Sequence, residues 1–190
     1  EGQLPAFPPV LTQAGRRTKG TNTGSTMQIT KFKDLYVAEL QEMRRLEGEL
    51  GEAFRRMAET ASNPTLKSVL MDQGERSLAQ EQRLWSMLCR HDANPRAHTD
   101  QAMQALLGEA ERMLTMVRGS DLRDAAMIVS AQKIEHFQIA AYGTTAALAG
   151  QLDLRDEQRL LHRSLEEEKV ADEALTQLAK GEVNRSAAAA

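Results

Sequence analysis

The stretch "AQKIEHFQIAAYGTTAALAG", residues 131–150, decides the fold. Its apolar positions Ala131, Ile139, Tyr142 and Ala146, with Ile128 before them, recur at the spacing of one helix face. Glu135 stands on that same line. An isolated ionised carboxylate in a helical core costs on the order of several kcal/mol even after relaxation. It must therefore be protonated, paired with a cation or bound to metal. Which of these holds depends on what the neighbouring helices bring to the same depth.

Composition narrows the field. A chain of 190 residues with 41% hydrophobic content can bury one real core. Aromatic residues are scarce, while Ala, Leu, Glu, Gln, Arg and Met abound, which favours helices over strands. Opposite charges are interspersed and the net charge is only −3, so no nucleic-acid surface is expected. No apolar run is long enough to span a membrane. The single cysteine, Cys89, excludes an intramolecular disulfide and fits a cytoplasmic protein.

Helices are expected over roughly 33–60, 64–90, 100–118, 122–149 and 157–179. "SNP" at 62–64 joins the first two, with Asn63 as N-cap and Pro64 at the first helical position. The first inward line runs Leu35, Glu39, Glu42, Leu46, Leu50, Ala53 and Met57. The second runs Leu66, Leu70, Gly74, Leu78, Glu81, Trp85 and Leu88. The last carries Leu161, Leu165, Glu168, Asp172 and Leu175. Two antiparallel hairpins joined by a crossover with its own helix make an all-α, ferritin-like four-helix bundle. The folded domain is expected over 27–180. Residues 1–26, rich in Pro, Gly, Thr and Ser, read as a disordered extension or as sequence upstream of a start at Met27. Residues 181–190 read as a disordered tail.

Every main helix thus has acid on or beside its inward line, and oxygen-rich clusters suit iron or manganese. The opposing reading is that long acidic side chains near a seam are solvated, since a register slip of one residue turns them outward. His136 falls about a hundred degrees from Glu135 and reads as a shoulder residue. His91 and His98 read as exposed loop residues, and His162 lies off the acid line. No Glu-x-x-His or His-x-x-x-His spacing supports a zinc hydrolase.

The runs "RDAAMIVSAQKIEHFQIAAYGTTAALAGQL" and "LLHRSLEEEKVADEALTQLA", with "LYVAELQEMRRLEGEL" and "ASNPTLKSVL", resemble the YciE/YciF family of bacterial ferritin-like stress proteins. The resemblance covers about Ile29 to Ala179. It implies a homodimeric helical bundle with a di-iron-type carboxylate site and a small-molecule oxidant as its partner. Matched residue by residue, the ligands implied are Glu39, Glu75, Glu135, Glu168 and Asp172. Leu78 stands where many relatives carry histidine, and Gln138 where glutamate is frequent, while Glu42 and Glu81 add acid. Two functions stay open: an iron or manganese protein, or a metal-free structural homodimer that has lost a complete site.

Overall fold

A computed structural model describes residues 29–94 and 101–190. The elements are α1 (Phe32–Thr60), α2 (Pro64–Arg90), α3 (Gln101–Met116), α4 (Ser120–Gln151), α5 (Arg155–Leu178), a π-helical turn (Ala179–Val183) and α6 (Asn184–Ala189). No strand occurs among the described residues. None of their helices is long and apolar enough to cross a membrane. The proposed extension at 1–26 and His98 lie outside the described residues.

Local chemistry sets the helix ends. The Asp34 carboxylate accepts from the backbone N–H groups of Thr30 and Lys31 at 3.0 and 2.9 Å, closing the start of α1. Those bonds hold its pKa below the usual carboxylate value. Asn63 caps α2, its Oδ1 accepting from the N–H groups of Thr65 and Leu66, with Pro64 at the first turn. Asp124 of α4 reaches across to accept from Ser62 and Asn63 N–H at 2.9 and 2.7 Å. Gly119 enters α4 with φ of 91°, a conformation that costs glycine little.

α1 pairs with α2 and α4 with α5; α2 then faces α5, α1 faces α4, and α3 lies against α4. The hairpin of α1 and α2 closes on glycines. A Cβ built on Gly74 would sit 3.1 Å from the Gly51 carbonyl oxygen, and one on Gly51 would sit 3.2 Å from Leu78 Cδ2. Gly74→Ala is therefore expected to destabilise by about 1 kcal/mol, overpacking against backbone outweighing a helix-propensity gain of about the same size. Urea unfolding checks this; a stabilised variant would mean the two helices part freely.

On each main helix one set of buried positions follows alternating steps of four and three. In α1 they are Tyr36, Leu40, Met43, Glu47, Leu50, Phe54 and Met57; in α2, Leu66, Leu70, Gln73, Ser77, Gln80, Leu84 and Met87. In α4 the line is Ile128, Ala131, Glu135, Gln138, Tyr142, Thr145 and Ala149, and in α5 Glu157, Leu161, Ser164, Glu168, Ala171 and Leu175. This is the heptad seam of a four-helix bundle. It corrects the first half of the expected α1 line and the middle of the expected α2 line, while Leu46, Leu50, Ala53 and Met57, and Leu66, Leu70, Gly74 and Leu88, are buried as expected. Leu35, Glu39 and Glu42 are only half-buried, and Leu78 and Trp85 are 38% and 51% exposed. The apolar line drifts off the seam because the seam itself turns polar at mid-height.

The C-terminal end is corrected as well. The chain does not lose structure after residue 180: α5 continues through the π-helical turn into α6. Val183 is buried in the same apolar cluster as Leu66, Met127 and Leu175. One apolar side chain anchors what otherwise reads as a polar tail.

Candidate functional site: a buried acid–amide layer

The core is two apolar clusters. One gathers Leu50, Phe54, Leu70 and Ile134; the other gathers Leu40, Leu84, Tyr142 and Leu161. Between them the seam residues are polar on all four helices: Glu47 from α1, Gln73, Ser77 and Gln80 from α2, Glu135 and Gln138 from α4, and Ser164 and Glu168 from α5. All are buried.

Each acid has its own amide. Gln138 Nε2 donates to Glu47 Oε1 at 3.0 Å, and Gln73 Nε2 donates to Glu135 Oε1 at 2.6 Å. Gln80 Nε2 donates to Glu168 Oε1, and also to Glu167 Oε2 at 3.2 Å. The Tyr142 hydroxyl adds a donor to Glu47 Oε1 at 2.6 Å. Glu135 and Glu168 are hydrogen-bonded to each other. Carboxyl groups in contact share a proton rather than both ionising.

Burial is the main cause of the acids' altered titration. It pushes Glu47 up to about 8, with the Glu168 charge adding to it and the Tyr142 and Gln138 bonds opposing it. Burial, then Glu168 and Glu47, push Glu135 up to about 11. Glu168 is raised by burial as well, against the bonds from Glu135 and Gln80. The layer also holds unpaired atoms. Glu47 Oε2, Glu135 Oε2 and the amide oxygens of Gln138, Gln73 and Gln80 have no hydrogen-bond partner. In two pairs, Glu47 with Gln138 and Glu135 with Gln73, the acid and amide that share one bond each hold one idle oxygen.

Of the residues the sequence points to, Glu135 and Glu168 are brought together at the centre. Glu39 is half-buried near Glu42 and Phe137, Glu75 is exposed, and Asp172 is half-buried beside Gln132 and His136. Glu81 is taken by Arg44 at 2.6 Å. Leu78, at the supposed histidine position, lies on the outer side of the α1–α2 contact, so it is not at the centre. Glu47 was missed. The signal for it was present: it sits between Met43 and Leu50 on the line that begins at Tyr36.

A second polar node lies at the end of the bundle. Glu157 accepts from the Tyr36 hydroxyl at 2.6 Å and pairs with His91 Nε2 at 2.9 Å, while Arg90 stands 3.5 Å away. The His91 side chain is only 6% exposed, which corrects its reading as an exposed loop residue.

An antiparallel bundle with one long crossover and glutamates facing inward at mid-height is a ferritin-like architecture. The chain belongs to the family described as domain of unknown function DUF892, which matches residues 31–188. Protein YciF of Escherichia coli K12 is 34% identical over 163 residues, spanning 85% of this chain and 98% of that protein. The crystal structure of the Escherichia coli stress protein YciF superposes with a TM-score of 0.77 at 33% identity, covering 82% of this chain and 99% of that one. YcfI of Rhodopseudomonas palustris, proposed to be a structural protein, matches with a TM-score of 0.75 at 30% identity over 78% of this chain and 94% of that one.

The di-iron arrangement that the fold can host takes a glutamate from each of two helices and Glu-x-x-His from each of the other two. Here α1 and α4 supply Glu47 and Glu135. The i, i+3 seam pairs of the other two helices are Ser77 with Gln80 and Glu168 with Ala171. Among the described residues no imidazole enters the layer. Among the described residues, no three His, Cys, Asp or Glu side chains converge as a metal-holding group. The donor set does not fit two iron ions.

Proposed function

We propose that the protein is a stress-associated structural bundle whose central acids are held by protons and amides instead of metal. The observation that carries this reading is the one-to-one pairing of Glu47, Glu135 and Glu168 with Gln138, Gln73 and Gln80. The names of the two relatives, a stress protein and a proposed structural protein, point the same way. The reading includes self-association in the cytoplasm. Met103 is buried within the bundle, which leaves half-buried Met113 and exposed Met116 on α3, with half-buried Val117 just past its end, as the apolar face for a second copy. Light scattering at roughly tens of micromolar is expected to give a dimer mass.

A second reading has one observation behind it: the unpaired oxygens at the centre are all acceptors, a surrounding that a single hard cation such as manganese or ferrous iron would also satisfy. Metal analysis of protein purified without chelator separates the two, together with melting in the presence and absence of anaerobic ferrous iron or manganese. The structural reading expects substoichiometric metal and no shift in melting. About one equivalent of metal with a rise of roughly 5 °C or more, a stabilisation of a few kcal/mol by mass action, would replace it with the cation reading.

A further inference from the structure

The core has a gap beside the crossover helix. A cavity of about 390 Å³ lies between α3 and the bundle. Ala53 and Met57 of α1 and Ile134 of α4 form one wall, and Leu107, Ala110 and Leu114 of α3 form the other. The volume lies within the range of roughly 300–1,000 Å³ that small-ligand sites occupy. It could hold roughly a dozen waters at about 30 Å³ each. The apolar walls, however, give water few partners. All the polar residues of the lining except half-buried Arg123 are exposed: Arg56, Thr60, Glu111 and Thr115. They mark the side that opens to solvent.

The charges there are not equivalent. Arg56 pairs with Glu111 at 3.4 Å, and both side chains are largely exposed. The Thr60 and Thr115 hydroxyls donate to backbone carbonyls of Met57 and Arg112 at 3.1 and 2.7 Å, so neither needs a ligand acceptor. The Arg123 guanidinium has no hydrogen bond or ion pair among the described residues. A half-buried cation with no partner among the described residues, next to an apolar cavity, selects an anionic head with an apolar body.

We propose that this cavity binds a medium-chain aliphatic carboxylate, with its chain among Met57, Leu114 and Ile134 and its head on Arg123. A carboxylate matches the planar fork of the guanidinium with two parallel bonds. The partial burial of Arg123 weakens screening by water, which strengthens the attraction relative to a surface pair. A cationic head would meet the Arg123 charge, and a neutral head would leave it unpaired. The site uses none of the central acids or amides, so it stands whether or not the layer is free of metal.

The test is calorimetric titration of the full chain with decanoate and, separately, decylamine, with light scattering on the same samples. One saturable decanoate site per chain is expected, at least tenfold tighter than any decylamine binding. Arg123→Gln is expected to weaken decanoate at least tenfold while leaving the melting temperature of the free protein unchanged. Ala110→Leu, which fills the cavity from α3, is expected to abolish binding and to hold or raise the melting temperature. Ala53→Val makes the same test from α1 if that variant does not fold. Three results would each overturn the proposal: no saturable decanoate heat, equal binding by Arg123→Gln, or binding that appears only in step with dimer formation. The last would assign the cavity to a second copy of the chain.

Discussion

Raising the pH from about 5 to about 9 is expected to lower the melting temperature of the metal-free protein by roughly 10 °C or more. The sign follows from the central layer. Glu47, Glu135 and Glu168 all have folded pKa values raised above their ordinary value of 4.5. The native state therefore holds protons that the unfolded chain gives up. Their stabilisation is complete below about 4.5 and is lost as pH rises, towards about 8 for Glu47 and on towards about 11 for Glu135. Each pKa unit corresponds to about 1.4 kcal/mol, so the combined loss amounts to several kcal/mol across this window. Asp34 and Glu167 act in the opposite sense. Partial burial pushes Glu167 up, but the paired bonds from Arg83 hold it below its ordinary value. Both lose their contribution only on acidification, below the window. Glu47→Gln is expected to flatten the slope and to melt above the parent at about pH 9, because an amide has no proton to lose. Scanning calorimetry in chelated buffer checks both. A flat profile for the parent would mean that the acids are ionised and neutralised by something other than protons.

Glu157→Ala is expected to destabilise the protein by about 3–5 kcal/mol, the cost of removing one partner from a buried charged network. At a chain length near this one, that lowers the melting temperature by roughly 10 °C or more. The substitution takes away the acceptor shared by Tyr36 and His91, and the Tyr36 phenol is then buried with no acceptor. Burial together with the Glu157 carboxylate keeps the Tyr36 hydroxyl protonated, its pKa well above the ordinary value. It therefore remains a donor with no partner. Glu157→Gln keeps one acceptor oxygen and should cost only about 1–2 kcal/mol. The ordering of the two variants is the informative readout. Equal losses would mean that the charge, not the hydrogen bond to Tyr36, holds this end.

The architecture was legible because it depends on punctuation and period. Asn63 with Pro64 starts α2, Gly119 ends the crossover, and "GQLD" turns the last hairpin. The site was only half legible, for a physical reason. Reading a helix by its apolar residues finds the core wherever the core is apolar, as in α4, where Ala131 and Tyr142 bracket Glu135. In α2 the buried line runs through Gln73, Ser77 and Gln80, while Met71, Leu78 and Trp85 lie exposed at seven-residue intervals. The larger apolar signal there belongs to the outside of the helix. Glu47 was lost the same way, because Glu42 and Leu46 offered an apparently continuous line one position off. Packing across all four helices settles the register, and that information is not contained in any one of them.

The polar layer also acts as a key that only one alignment fits. Sliding α2 by one helical turn, about 5.4 Å, in the direction that brings Leu84 to the level of Gln80 would set the Glu168 carboxyl against leucine. In an all-leucine seam, neighbouring alignments differ little in energy. Here a slipped alignment breaks acid–amide pairs at once, at about 1–3 kcal/mol for each buried group left bare. Misthreaded and strand-exchanged bundles are penalised by the same groups that make the correct one sensitive to alkali, in the way a single buried asparagine fixes the alignment of a coiled coil. Changing all three glutamines to leucine should then give a protein that stays helical but populates several alignments.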